Sequence, residues 1–145
     1  MNVGQISGGR LVTASQHTPV SEVARMMTTN HVGAVIVTEN ADDNSPVVGV
    51  ITDRDIVNAQ LDQTRDLGSL SAEAVMTRKV LTLSPEDSID DAIAHMRARN
   101  VRRAPIVAAG GVPVGMVSTD DLLARMSFKL FSIAGIVAKQ SQRGR

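Results

Sequence analysis

A hydroxyl residue followed three positions later by an aspartate occurs twice in this chain. The first copy is Thr52 and Asp55 in Gly49-Val50-Ile51-Thr52-Asp53-Arg54-Asp55-Ile56. The second is Ser118 and Asp121 in Gly115-Met116-Val117-Ser118-Thr119-Asp120-Asp121-Leu122, sixty-six residues on. Each string reads as a buried strand running directly into a helix. The spacing fits a capping box, in which the hydroxyl accepts from the N3 amide and the carboxylate reaches back to the cap amide. As isolated strings both are accounted for by that role, since such boxes are common at helix starts. The same geometry has a second use. A helix N-terminus presents unpaired amides and the positive end of the dipole, which favour phosphate. The hydroxyl can donate to a phosphate oxygen, and the carboxylate can accept from two ribose hydroxyls. A glycine three residues before the hydroxyl, Gly49 or Gly115, would let a flat base approach the strand backbone.

Cations stand close by. Arg54 lies just inside a helix start, where it opposes the dipole. A phosphate would explain it, and so would a salt bridge to Asp53, Asp55 or the acidic loop 39–45. Arg102 and Arg103 either meet a phosphate with fixed donors or sit solvated at a strand edge. Other chemistries lack support. His17, His31 and His95 are scattered, with no carboxylate at ligand spacing, and read as surface or satisfied histidines rather than a metal site. Ser15 and Ser84 have no recognisable histidine-and-acid arrangement. There is no cysteine, hence no thiolate nucleophile, disulfide or Cys-based zinc site. No nucleophile–base pair supports an enzyme.

Composition narrows the classes further. Of 145 residues, 43% are hydrophobic and 21% charged, close to globular averages, so wholesale disorder is excluded. Fifteen basic and fifteen acidic residues balance, so no global field draws the chain to nucleic acid or anionic membrane. There is no Trp or Tyr, and Phe128 and Phe131 are the only Phe residues, so the stacking platforms of single-strand nucleic-acid binders are missing. The first residues lack the basic-then-apolar pattern of a signal peptide, and no apolar run approaches a membrane span. A cytoplasmic location is the expectation.

The elements that position the two motifs repeat as well. Residues 10–15 read as a short strand; Thr18 and Pro19 follow as N-cap and first helical residue. Val20, Val23, Ala24 and Met27 give one apolar helix face. Residues 32–37 and 46–51 read as buried strands, and a helix from Thr52 carries Ile56 and Val57 inward. After a polar connector the order returns. Residues 79–84 match 10–15 at an offset of sixty-nine, with Asp87 as N-cap and Asp90 completing a capping box. Ile89, Ala92, Ile93 and Met96 match the earlier helix face position for position. Residues 101–107 take the place of the 32–37 strand, with Pro105 expected at an edge or bulge. A loop three residues shorter changes the offset to sixty-six. This is an internal duplication, each half β–α–β–β–α. A sixty-residue unit buries too little surface to be comfortable alone, so the halves are expected to share one core. The expected fold is α/β: residues 1–60 as one repeat, 61–72 as connector, 73–126 as the second repeat, and 127–145 as a C-terminal helical extension.

The duplicated unit resembles a tandem pair of CBS domains, the Bateman module. The resemblance rests on Gly-Val-Ile-Thr-Asp-Arg-Asp at 49–55, Gly-Met-Val-Ser-Thr-Asp-Asp at 115–121, Val75-Met76-Thr77 and residues 100–107, and it covers residues 3 to about 125. It implies two repeats related by approximate twofold symmetry, and a non-enzymatic regulatory module binding adenosine-containing ligands between them. By resemblance, Thr52 and Ser118 contact phosphate, and Asp55 and Asp121 contact ribose. Val32 and Gly33 in one half, and Val101, Arg102 and Arg103 in the other, line base and phosphate positions; the lead-ins near Ile6 and Thr77 add contacts. Because Arg102 and Arg103 have only Gly33 and Ala34 as counterparts, two unequal sites are expected, with the Ser118–Asp121 copy as the phosphate site. The acidic residue that commonly ends the second strand is present as Glu39 but replaced by Ala108 in the second half.

The expected ligand is AMP, ADP or ATP, with NAD and S-adenosylmethionine as further candidates. No cofactor is required, and an effector protein of unknown identity would read the signal. A structural or protein-interaction module with non-binding clefts is the alternative. At the C-terminus, Leu123, Met126, Leu130, Ile133 and Val137 alternate spacings of three and four, widened by Phe128, Phe131 and Ile136. That stripe is expected to pack on its own domain or on a second subunit of a homodimer packed into a disc. A membrane-surface helix, suggested by Lys129, Lys139, Arg143 and Arg145, is the other possibility.

Overall fold

Short runs rich in β-branched residues become the strands, because such side chains fit a pleated, half-buried surface. The computed structural model describes residues 1–7, 11–62 and 66–144. Its first half contains α1 (Val3–Ile6), β1 (Thr13–Ser15), α2 (Val20–Asn30), β2 (Ala34–Thr38), β3 (Val47–Thr52) and α3 (Asp53–Asp62). The second contains α4 (Ala72–Val75), α5 (Ile89–Arg99), β4 (Arg103–Val107), β5 (Pro113–Ser118) and α6 (Thr119–Arg143). The α/β duplication is present. Both central helices end on a left-handed residue, His31 (φ 54°) and Asn100 (φ 51°), at matching places in the repeat. The helix starts differ from expectation by one residue. Pro19, not Thr18, is the cap of α2 and contributes no side-chain bond. Ser88, not Asp87, caps α5 by accepting from the Asp91 amide, so Asp90 completes no box. The Asp87 carboxylate instead accepts from the Ser84 amide at 2.9 Å.

The two sheets are unequal, and proline is the reason. In the first half β1 pairs parallel with β2, and β2 antiparallel with β3. Bonds from the Ile36 N–H to Val12 and from the Gln16 N–H to Thr38 close both ends of the parallel ladder. At the offset of sixty-nine those donors are Pro105 and Pro85, which have no N–H. Residues 79–84 therefore form no strand; only Leu83 bridges to Ile106. The second sheet is the pair β4–β5. Pro105 sits where expected, on the side of β4 whose neighbour cannot complete a ladder. Arg10 and residues 63–65 of the expected connector lie outside the described residues.

A single shared core is not what forms. Val12, Val23, Met27, Val35, Val37 and Ile51 make one cluster, and Leu83, Ile89, Met96, Ile106, Val117 and Leu122 another. The halves are joined by exchanging their lead-ins. Val3 of α1 is fully buried in the second cluster, and Ala72 of α4 with Met76 is buried in the first. The backbone bonds repeat as well. Val3 and Gly4 amides donate to Asp87 and Pro85, while Ala72 and Glu73 amides donate to Thr18 and Gln16. Deleting residues 1–6 is expected to strip hydrogen-exchange protection from β4 and β5 before β2, because the deleted valine packs in the far repeat.

Two apolar faces depart from expectation. Val57 of α3 is exposed rather than inward, while Ile56 packs against the first cluster. On α6, Met126 packs against the second cluster, but every described residue from 127 onward is exposed, so the rest of the stripe does not pack on its own domain. Among the described residues, no helix is long and apolar enough to cross a membrane.

Candidate functional site

The strand-to-helix junctions β3–α3 and β5–α6 place both motifs as the sequence implies. The Asp55 amide donates to Thr52 Oγ1 at 3.2 Å, and the Thr52 amide donates to Asp55 Oδ2 at 2.8 Å. Ser118 and Asp121 repeat this at 3.2 and 2.9 Å. Both capping boxes are therefore complete. They still leave ligand-binding capacity, because each hydroxyl is used as an acceptor and keeps its proton to donate. Each aspartate commits one oxygen, and the other has no partner among the described residues. Capping and binding use different atoms. Ser118→Ala is expected to cost about 1 kcal/mol of stability in urea unfolding through the cap alone, and Thr52→Ala the same.

Both junctions open on one cavity of about 430 Å³ between the halves. Of the expected site residues it gathers Thr52, Arg54, Asp55, Thr77, Val101, Arg102, Arg103 and Ser118. Its apolar wall is aliphatic, built from Val50, Val80, Leu81, Val101, Pro105 and Met116. Arg54, Lys79, Arg102 and Arg103 supply positive charge, against Asp53, Asp55 and Asp120. The guanidinium of Arg54, the ammonium of Lys79 and the guanidinium of Arg102 find no partner among the described residues. For Arg54 this removes the salt-bridge alternative. Arg103 instead reaches across to the first half, donating to the Gly33 carbonyl at 3.4 Å.

Four expected residues lie elsewhere. Val32 and Gly33 do not line this cavity; Gly33 sits beneath Arg103, whose Nη2 would be 3.2 Å from an added Cβ. Ile6 and Asp121 line a separate, more open groove of about 490 Å³ with Gln5, Ser7, Ala124, Arg125 and Phe128. The exchange of lead-ins explains the split. Thr77 hydrogen-bonds Val50 in both directions, at 3.0 and 3.1 Å, and so carries the second lead-in onto β3; α1 carries the first onto the second repeat. The cavity with Arg102 and Arg103 thus holds the complete Thr52–Asp55 pair and only the hydroxyl of the Ser118–Asp121 pair. Arg102 and Arg103 are therefore grouped with Thr52 and Asp55 as well as with Ser118.

The motif glycines also serve another purpose. An added Cβ on Gly49 would fall 2.6 Å from Met76 Sδ and 2.8 Å from the Thr77 carbonyl oxygen. The space beside Gly49 is taken by the exchanged lead-in, not left for a base. Lys79, Asp53, Thr119 and Asp120 line the cavity but were not among the expected residues. Their signal was adjacency to the motifs and to Thr77. Outside both cavities, the Ser84 hydroxyl bond holds the exposed Glu86 carboxyl below its usual range, aided by its own backbone amide. Among the described residues no cluster of acids and histidines could hold a metal ion.

Comparison with known proteins places this geometry. The family model for the CBS domain matches twice, over residues 3–62 and 72–127. CBS domain-containing protein YhcV of Bacillus subtilis is 33% identical over 113 residues, covering 78% of this chain and 76% of that protein. An uncharacterised protein of Methanopyrus kandleri is 27% identical over 123 residues, or 85% of this chain; the chain spans 61% of that relative's length. Among solved structures, the CBS domain pair of protein MJ0100, in complex with 5′-methylthioadenosine and S-adenosyl-L-methionine, superposes with a TM-score of 0.77. It is 23% identical, and the match covers 89% of this chain and 98% of that one.

Proposed function

The chain belongs to the CBS domain family and carries two copies of the domain; on that premise we propose that it is a non-enzymatic regulatory module whose central cavity takes an adenine nucleotide. AMP, ADP or ATP fits the charge of the site best. The observation that carries this reading is the convergence, on the cavity, of three cations and an Asp55 oxygen that have no partner among the described residues. Asp55 accepts from the ribose diol. Thr52 and Ser118 donate to phosphate from the starts of α3 and α6, where the helix dipoles favour an anion. Arg102 and Lys79 complete the phosphate clamp, with Arg54 at its rim. The aliphatic wall holds the base without stacking. The adenosine compounds bound by the CBS pair of MJ0100 support the ligand class. Their lack of a phosphate chain contrasts with the cations here, which leaves S-adenosylmethionine a secondary candidate; NAD has a diphosphate but less negative charge than ADP or ATP and is also secondary.

The groove at Asp121 offers one cation, Arg125, and is the weaker phosphate site. Since the cavity is built by both repeats, a bound nucleotide favours one arrangement of them by its differential affinity, and an effector protein reads that arrangement. Titration calorimetry with AMP, ADP, ATP, NAD and S-adenosylmethionine tests the reading on protein stripped of co-purified nucleotide. Absence of binding at millimolar ligand overturns it in favour of an interaction module whose capping boxes act only as caps. A mass spectrum of any co-purifying small molecule identifies the natural ligand.

A further inference from the structure

We propose that Gly33 sets the phosphate affinity of the cavity by parking Arg103 on its carbonyl, so that a bound phosphate must draw this arginine off the first repeat. This rests on the nucleotide reading and deepens it, taking up the one cation that the clamp leaves aside. Arg103 starts β4 in the second repeat, lines the cavity and is exposed. Its Nη1 donates to the Gly33 carbonyl at 3.4 Å, a bond from one repeat to the other between residues 70 apart. The Asp53 amide donates to the same carbonyl at 3.0 Å. The parked guanidinium therefore ties the second repeat to the first residue of α3, next to Thr52 and close to Asp55.

The internal repeat isolates what is particular to this contact. In the second half the Arg102 carbonyl takes the place of Gly33 and accepts from the Thr119 amide at 2.9 Å. Ala34 pairs with Thr52 as Arg103 pairs with Ser118, so alanine takes the place of the parked arginine. The backbone is matched in both halves, and the strap runs in one direction alone. It is suited to release. At 3.4 Å and exposed, the bond is longer than the usual N–H···O distance of about 2.9–3.0 Å, and its acceptor is neutral. A phosphate offers the guanidinium a fork of shorter, charge-assisted bonds. When the arginine leaves, the carbonyl keeps the Asp53 amide, so no acceptor is left unpaired. The Asp53 carboxylate, with Oδ2 3.6 Å from where a Gly33 Cβ would stand, favours the parked position and keeps the strap closed without a ligand. Glycine is what admits the contact. A Cβ on Gly33 would meet Arg103 Nη2 at 3.2 Å and Cζ at 3.8 Å. Gly33 lies outside the left-handed region, so alanine suits its backbone and displaces only the end of the arginine.

Titration calorimetry of the full chain with ATP and with adenosine tests this. Gly33→Ala is expected to tighten ATP binding about fivefold, because the fraction of molecules with Arg103 free to meet phosphate rises. Arg103→Ala is expected to weaken ATP binding about tenfold. The double variant is expected to bind ATP as Arg103→Ala does, since the methyl then has no arginine to displace. Adenosine carries no phosphate to draw the arginine, and its affinity is expected to stay within about twofold across all four proteins. Far-UV circular dichroism is expected to be the same for each. If the wild type binds ATP and Gly33→Ala leaves that affinity unaltered or weaker, the parking is overturned while the nucleotide reading stands. Tightening that persists without Arg103, ATP binding indifferent to Arg103→Ala, or a Gly33→Ala chain that fails to fold has the same effect. A wild type that binds neither ligand overturns the nucleotide reading and the parking with it.

Discussion

Asp55→Ala is expected to remove most of the thermal shift that an adenine nucleotide gives the wild-type protein, while Asp121→Ala keeps it. A ligand at one hundred times its Kd stabilises the folded state by about 2.7 kcal/mol. For a chain of 145 residues, each kcal/mol moves Tm by about 3 °C, so the wild-type shift is about 8 °C. Losing two hydrogen bonds from the ribose diol to a carboxylate weakens binding by about a hundredfold or more, at about 1.5–3 kcal/mol each. At the same ligand concentration the remaining shift is then about 1 °C. Both variants also lose the carboxylate half of a capping box, which lowers ligand-free stability by about 1 kcal/mol in each. That common baseline is what makes the comparison decisive, since only the ligand-induced shift differs. The opposite pattern, with Asp121→Ala losing the shift, would place the nucleotide in the open groove beside Arg125.

That contrast was out of reach of the sequence for a specific reason. Each element of a repeat could be placed from local pattern: the period of Val20, Val23 and Met27, the glycine and hydroxyl at the strand-to-helix turns, the paired offsets. Which repeat a lead-in packs on is not a local property. Val3 and Ala72 are small apolar residues that would suit either core, and the exchange follows from backbone bonds to loops more than eighty residues away for the first lead-in and more than fifty for the second. Once the lead-ins are exchanged, the second lead-in, Arg102 and Arg103 share a cavity with α3 of the first repeat, and Asp121 shares a groove with α1. The inequality of the sheets is legible in the sequence. Pro85 and Pro105 stand in the sequence at the two positions where the first repeat donates ladder bonds, so the missing strand at 79–84 could have been read from the register.

Gly49→Ala is expected to destabilise the protein by about 3 kcal/mol, and Gly115→Ala to be close to neutral. The two glycines hold equivalent places, yet their surroundings differ. A methyl on Gly49 meets Met76 Sδ at 2.6 Å, Met76 Cγ at 2.9 Å and the Thr77 carbonyl oxygen at 2.8 Å. The methionine can change rotamer at modest cost, but the carbonyl cannot withdraw freely, because it accepts from the Val50 amide while the Thr77 amide donates to Val50. Relieving the contact pulls the lead-in off β3. Overpacking of this kind costs about 1–3 kcal/mol, and each released backbone bond adds about 1 kcal/mol. A methyl on Gly115 meets Ser7 Oγ at 3.2 Å and its Cβ at 3.4 Å. That hydroxyl can rotate away, and alanine restricts the unfolded chain by about 0.4–1 kcal/mol, which offsets the crowding. Urea unfolding of both variants measures the difference. If Gly49→Ala costs less than about 1 kcal/mol, the lead-in yields without penalty. Nucleotide affinity would then decide whether the glycine is kept clear for a base, because under that reading Gly49→Ala weakens binding at unchanged stability.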